Sequence, residues 1–235
     1  MPEREIAFER CFNFRDLGGY AGADGRVVRW RRLFRGMTPE YMTGADVARA
    51  RDELGIDAVL DLRRVDGGIG SGVLGEAPGI RLVVPFADSR QFVELRTLPH
   101  EQVLAKGIEL NGATIVAALE FLVAQPGAAM FHCQTGKDRT GLLAAVILKL
   151  LGVSDADVVE DFVLSAPAVE VMTRVGLPEI PADAPAFARI PPEASWVQGV
   201  LAALEAHGGA VEYLRAHGAT DALTGRARDT WLEEP

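Results

Sequence analysis

The sequence predicts an α/β protein, with a central, mostly parallel sheet flanked by helices. Three observations carry that reading. Short apolar or β-branched runs of strand length, "IDAVLDLR", "GIRLVVPF" and "AAMFH", alternate along the chain with segments of helical periodicity. The segment Gly141 to Leu151, "GLLAAVILKLL", is apolar on nearly every side and so belongs inside a core. Helix start and stop signals stand at the boundaries between these runs.

In chain order, Asp24-Gly25 is a turn signal, and the following "RVVRWRRLFRG" predicts a strand around Val27 to Phe34. In "MTGADVARARDELG", Thr43 and Asp46 have capping-box spacing, and Gly55 ends a helix of about three turns. "NGATIVAALEFLVAQPG" carries Ile115, Ala118, Leu119, Leu122 and Val123 at helical spacing, and Pro126-Gly127 stops it. Ser154 caps the next helix, with Asp157 three residues on. Six prolines between Pro167 and Pro192 forbid one long helix, so 165–195 is expected to be irregular. That stretch and 88–111 are candidates for a lid or insertion, a surface connection being the plainer alternative. "EASWVQGVLAALEAHGG" and "AVEYLRAHGA" predict two closing helices. With no internal repeat and no linker, 1–235 reads as a single domain.

Net charge narrows the function. At -9 the chain lacks the basic face of a nucleic-acid binder, so any anionic substrate needs a local positive pocket. Two cysteines, Cys11 and Cys133, make no disulfide framework and no metal or redox pair, which points to a reducing compartment. "MPEREIAFER" has no apolar run of the secretory kind, and "GLLAAVILKLLG" is about half the length of a membrane span. A cytoplasmic protein with no integral membrane segment is the expectation. "GSGVLG", Gly70 to Gly75, spells the dinucleotide-binding pattern, but it leads into Pro78-Gly79 where a helix start is required, so Gly67 to Gly79 reads as a connection.

The chemistry is concentrated in "AAMFHCQTGKDRTGLLAAVILKLLG", residues 128 to 152. A strand ending at His132, a tight polar loop, and a helix beginning near Arg139 together form an anion trap. Successive loop amides point inward as a nest, and the helix start adds unpaired donors and the positive end of its dipole. A nucleotide-triphosphate loop is excluded, because Gly136-Lys137 is followed by Asp138 and Phe131 stands where that motif needs glycine. Arg139 follows Cys133 after five residues. A free thiol, with a pKa of about 8.5, is only a few per cent thiolate at neutral pH. Under inward amides, a helix start and an arginine, its pKa falls into the range of roughly 3.5–7.5. The donors that hold a thiolate also hold a phosphate dianion: Gln134, Thr135, Gly136, Lys137, Asp138 and Arg139 line that site. The planar fork of Arg139 suits two phosphate oxygens, and the Thr140 hydroxyl can serve the sulfur. An isolated cysteine after a strand is usually a small core residue, and Cys11 is read that way. Cys133 is not, since burying Lys137, Asp138 and Arg139 beside a structural cysteine would be costly.

"HCQTGKDRTG", His132 to Gly141, resembles the signature loop of the cysteine-dependent protein tyrosine phosphatases. The Lys-Asp-Arg-Thr form is similar to that of bacterial tyrosine and dual-specificity phosphatases that also act on phosphoinositides. "NFRDLGGY", "LFRG", "GIDAVLDLR" and "GGAVEYLRAHG" resemble the same bacterial family along most of the chain. One departure is Gln134-Thr135, where relatives often carry alanine before the glycine. The resemblance implies a tyrosine-phosphatase-like fold and a phosphomonoester hydrolase that works in two steps through a phosphocysteine on Cys133. It implies no metal or cofactor, a phosphorylated protein or phosphoinositide as substrate, and a phosphate ion as occupant of the loop. His132 is expected to tune the thiolate by hydrogen bonding; it has no second histidine at metal-ligand spacing.

Three aspartates compete to protonate the leaving oxygen. Asp138 resembles the in-loop acid of the Lys-Asp-Arg relatives and of myotubularin-type lipid phosphatases. Asp88, in "VPFADSR", stands where dual-specificity phosphatases keep an acid on a mobile loop. Asp61 ends a strand on the expected active-site edge and could instead pair with Arg63 or Arg64. Asp138 is favoured, with Asp88 second. Arg15 and Asp16 either support the loop from behind or make a turn before Gly18-Gly19. Lys137 suits substrates with several phosphates, a solvated lysine being the plain alternative. Two other functions compete with a phosphatase. A rhodanese-type sulfurtransferase also sets a cysteine in an anion loop, but Arg139-Thr140-Gly141 and the in-loop aspartate speak against it. A catalytically silent phosphate-binding module would have lost the nucleophile or the arginine.

Overall fold

Ala128–His132 (β6) is buried at every residue and forms the middle of a five-stranded sheet in this computed structural model, which describes residues 3–63, 74, 80–83, 98–178 and 189–235. Its apolar run leaves no polar face for solvent, as expected of a central parallel strand. Leu33–Gly36 (β3) and Ile56–Asp61 (β4) flank it in parallel. Ile80–Val83 (β5) continues the sheet in parallel beyond β4, and Arg15–Asp16 (β1) closes the other edge antiparallel to β3. Val27–Val28 (β2) pairs with Leu232–Glu233 (β7) in a separate antiparallel ribbon. The fold is therefore α/β with a mostly parallel sheet, as the alternation of patterns predicts.

Side chains alternate across the sheet into two cores. Leu33, Leu60 and Phe131 face the larger one, built with the helices Gly112–Ala124 (α3), Asp138–Leu150 (α4) and Ala194–Ala206 (α7). Phe34, Val59 and Met130 face the smaller one, with Phe8 and Phe14 of the N-terminal segment. Gly44–Ala48 (α1), which continues as a π-wound turn over Arg49–Glu53, and Ser165–Val175 (α6) complete that side. The helix His100–Leu110 (α2) packs along α7. Ala210–Ala216 (α8) and Asp221–Trp231 (α9) close the large core, with Trp231 fully buried. Among the described residues no single helix is long and apolar enough to cross a membrane.

Most predicted caps are made. Thr43 and Asp46 form a reciprocal capping box, Ser154 accepts from the Asp157 amide at the start of Asp155–Val163 (α5), and Gly55 takes φ +69°. Three expectations are corrected. The predicted strand from Val27 to Phe34 is two strands in different sheets. The chain breaks at Arg31, where φ is 57° and the backbone N–H donates to the Asp16 carboxylate at 2.7 Å. In 165–195 the first third is helical, because Pro167 falls in the first turn of α6, where its missing N–H has no helical acceptor to lose. A third closing helix, α9, follows the two predicted, capped by Thr220. Of 88–111, only 98–111 is described, and it is largely helix α2. The "GSGVLG" stretch lies outside the described residues except for Leu74, as do 84–86 and 179–188.

What matters for the site is the register. Gly36, His132 and Asp61 stand abreast at the carboxyl ends of three parallel strands, the edge at which α/β sheets present their ligand-binding loops. Helix α4, which follows the loop, is anchored by Leu143 with none of its surface exposed. Leu143→Ala is expected to lower unfolding free energy by about 2–5 kcal/mol, measured by urea denaturation, with the phosphate affinity of the folded fraction retained.

Candidate active site

The loop from Cys133 to Lys137 joins β6 to α4. Its geometry follows from what its carbonyls do. The Thr38 backbone N–H donates to the Gln134 carbonyl at 3.1 Å, Asn13 Nδ2 donates to the Thr135 carbonyl at 3.0 Å, and Arg35 Nη2 donates to the Gly136 carbonyl at 2.9 Å. In a trans peptide the carbonyl and the next N–H point in opposite directions. Three successive carbonyls drawn outward therefore turn the N–H groups of Thr135, Gly136 and Lys137 inward. That is the amide nest the sequence calls for. Gly136 makes it possible: its φ is +71°, and a Cβ there would lie 2.3 Å from the Gly36 carbonyl carbon and oxygen.

Cys133 lies at the base of this cup, 2% exposed. Burial by itself raises a thiol's pKa. Here the Arg139 guanidinium, the Thr140 hydroxyl and the Thr140 amide outweigh it against the opposing charge of Asp138, so the net shift is downward. The Thr140 hydroxyl is fully buried and otherwise without a partner among the described residues. Cys11 shows the contrast. Burial, together with the nearby Asp46 charge, pushes its thiol far up, so it is a core residue as read. Arg139 is half-buried and donates to the Leu62 carbonyl at 3.3 Å.

The other predicted residues fall at distinct places. Asp138 opens α4; its Oδ1 is buried, has no hydrogen-bond partner among the described residues and lies 3.6 Å from Lys137 Nζ. Lys137 is fully buried, donates to the Ile190 carbonyl at 2.7 Å and stands 5.1 Å over the Trp196 ring, so the solvated alternative is wrong. Asp61 is fully buried and accepts from Arg63 Nε at 3.0 Å and Nη2 at 2.8 Å. Burial would raise its carboxyl, but His132 and Arg63 hold it well below the ordinary range. His132 Nδ1 lies 3.0 Å from the Cys133 carbonyl, a contact with the backbone of the nucleophile, and Nε2 lies 3.9 Å from Asp61 Oδ2. Gln134 Oε1 sits 3.5 Å from Arg63 Nη1 at the rim, and Thr135 is buried. Asp16 accepts from the Gly18 and Arg31 amides, which is the turn alternative. Asp88 lies outside the described residues, and so does Arg64.

Four residues of this site escape the sequence reading: Asn13, Arg35, Thr38 and Asp161. Asp161, on α5, is 1% exposed and carries two guanidinium groups, Arg15 Nε at 2.9 Å and Arg35 Nη1 at 2.5 Å. Arg15 Nη1 also donates to Asn13 Oδ1 at 2.6 Å, which orients the amide that reaches Thr135. Burial raises the Asp161 carboxyl, and the two arginines bring it below the ordinary range. Asn13 and Arg35 sit inside the quoted stretches "NFRDLGGY" and "LFRG"; Asp161 sits in an ordinary amphipathic helix and gives no signal.

Gly136→Ala is expected to cost about 1–3 kcal/mol from φ alone and to abolish competitive inhibition by inorganic phosphate, read by thermal shift and inhibition assays. Asp161→Ala, which orphans two buried cations, is expected to cost about 3–5 kcal/mol in chemical denaturation. Asp61 and Asp161 both have folded pKa values below their unfolded ones. Their contribution is thus complete above about pH 4 and is lost as pH falls through the folded values; an acid titration followed by tryptophan fluorescence checks this.

Comparison with known proteins agrees with this geometry. Residues 6–233 match the profile described as the Tyrosine phosphatase family. A protein of Cupriavidus necator, provisionally assigned as a tyrosine-protein phosphatase, is 32% identical over 231 residues, covering 90% of this chain and 83% of its own. A tyrosine-protein phosphatase of Nostoc commune is 48% identical over 46 residues, 20% of this chain and 16% of its own. The core catalytic domain of the PP-IP phosphatase SIW14 from S. cerevisiae, solved with citrate, aligns over 79% of this chain and 89% of its own at 15% identity and a TM-score of 0.43, a likeness too loose to argue from. Matched by its profile along nearly the whole length, the chain belongs to the tyrosine phosphatase family.

Proposed function

We propose that the protein is a cysteine-dependent phosphomonoester hydrolase that acts on phosphotyrosine in proteins, with residues 1–235 working as a single catalytic domain. The carrying observation is a thiol that is 2% exposed yet more acidic than an ordinary cysteine, at the base of a loop with three amides turned toward it.

In the first step the Cys133 thiolate attacks phosphorus. An S–P bond forms as the bond from phosphorus to the ester oxygen breaks. The charge gathering on the equatorial oxygens meets the inward amides and the Arg139 fork, which swings from the Leu62 carbonyl to the phosphate. Asp138 gives its proton to the leaving oxygen. Its place at the start of α4, close enough to Cys133 for its charge to be felt there, supports this role. In the second step Asp138, now a carboxylate, takes a proton from water. The water oxygen bonds to phosphorus, the S–P bond breaks and phosphate leaves. The Thr140 hydroxyl, facing the sulfur, eases its departure as thiolate.

Asp61 is unsuited to be the acid, since a carboxylate held ionised by Arg63 has no proton to give; it positions His132 instead. Lys137 lends no support to a substrate with several phosphates, because its ammonium is buried against Ile190 and Trp196 rather than presented at the mouth. Turnover of phosphoinositides that carry several phosphates is therefore expected to be slower than phosphotyrosine turnover.

Cys133→Ser is expected to abolish phosphate release while retaining phosphate binding. Asp138→Asn is expected to slow aryl phosphates with poor leaving groups by about 10²–10⁴-fold and those with good leaving groups far less. Equal slowing for both classes removes Asp138 from the acid role. Sulfur transfer from thiosulfate without phosphate release would decide for a sulfurtransferase.

A further inference from the structure

Beneath the loop, on the side away from the substrate, lies a buried group of three charges: Arg15 on β1, Arg35 on β3 and Asp161 on α5. All three are at most 1% exposed. A hydrophobic trio of similar volume would fill this space at lower desolvation cost, but it would leave two loop carbonyls without donors. The bonds of the trio run to those carbonyls. Asp161 Oδ2 holds one prong of the Arg35 fork at 2.5 Å, and the other prong reaches the Gly136 carbonyl at 2.9 Å. Asp161 Oδ1 holds Arg15 Nε at 2.9 Å, and Arg15 Nη1 fixes Asn13, whose amide reaches the Thr135 carbonyl. One carboxylate thus anchors both arms. Two guanidinium groups against one carboxylate leave a single uncompensated positive charge behind Cys133.

We propose that Asp161, acting through Arg15 and Arg35, positions the reaction at Cys133: it fixes the amides of Gly136 and Lys137 in the inward orientation and holds the two guanidinium cations in place behind the thiol. The inference rests on reading Cys133 as the nucleophile. Arg35 feels the Cys133 charge directly, which raises its own pKa against the lowering by burial and by Arg15. Among the described residues, the other charged groups around the thiol include Arg139, Asp138 and Lys137 on the loop and α4, His132 on β6, and the Asp61–Arg63 pair at the end of β4. Glu40, which pairs with Arg63 at 2.7 Å, stands at the partly exposed rim. The trio differs from these in that its bonds run to the Thr135 and Gly136 carbonyls, through Asn13 and Arg35.

Geometry and charge are separable by substitution. Arg35→Lys keeps the cation and loses the fork, Arg35→Gln loses both, and Asn13→Ala loses one tether without changing charge. Two readouts serve: the pH midpoint of Cys133 alkylation by iodoacetamide, followed on the Cys133 peptide, and the inhibition constant of inorganic phosphate. Arg35→Lys and Asn13→Ala are expected to weaken phosphate inhibition about tenfold, the size of one lost buried hydrogen bond, with little change of midpoint. Arg35→Gln is expected to weaken it further and to raise the midpoint by about one pH unit. If Arg35→Gln does not fold, the other two variants decide alone. Wild-type phosphate inhibition in both folded variants, or an unmoved midpoint in folded Arg35→Gln, overturns the proposal. Failure of the underlying reading looks different: the unaltered protein would then alkylate Cys133 with the midpoint of a free thiol and without protection by phosphate.

Discussion

The site depends on where three loop carbonyls point. A peptide plane is rigid, so drawing the carbonyls of Gln134, Thr135 and Gly136 outward fixes three N–H groups inward without those N–H groups needing protein partners of their own. The donors that do this come from the Thr38 backbone, Asn13 and Arg35, all in the N-terminal part of the chain. Everything else at the site presupposes that orientation. The thiol is ionisable because a fixed field of donors and the Arg139 charge face it, and an anion fits because the same donors are already in place.

That arrangement explains why the protein buries charge where a parallel α/β core would usually bury hydrocarbon. Arg15, Arg35 and Asp161 sit against the edge strand and β3, close to apolar side chains such as Phe162, whose ring leaves no room for a Cβ at Gly141. The desolvation of three charged groups is a cost to stability that the two large hydrophobic clusters on either sheet face must offset. A second ionic cluster stands on the neighbouring strand. There Asp61 and Arg63 lock together beneath His132, and Glu40 extends the cluster to the rim. Both clusters sit at the carboxyl ends of the parallel strands, which is where the register brings Gly36, His132 and Asp61 level.

Sequence reading succeeded and failed at this site for a physical reason. The nucleophile, the arginine, the threonine and the in-loop aspartate occupy one contiguous stretch, so their spacing alone shows a strand, a tight turn and a helix start carrying reactive groups. The supports are remote in sequence: Asn13 is 122 residues from Thr135, Arg35 is 101 from Gly136, and Asp161 is 146 from Arg15. Nothing about Asp161 in an amphipathic helix announces a buried ion pair. Lys137 failed in the opposite way. Its type and place suggested a solvated or substrate-facing lysine, and only packing against Ile190 and Trp196 shows where the ammonium goes.

The alternation of strands and helices, the caps at Thr43 and Ser154, the glycine in the loop and the reactive constellation from His132 to Gly141 can all be read along the chain. These are properties of short windows, set by periodicity, propensity and local hydrogen bonding. Long-range packing decided that the run from Val27 to Phe34 breaks between two sheets, that Pro167 falls in the first turn of a helix, and that Asp61 lies locked under Arg63. It also decided which distant side chains draw the loop carbonyls outward. Those outcomes depend on which strands lie side by side and on what each buried polar group finds within reach, and a linear pattern carries neither.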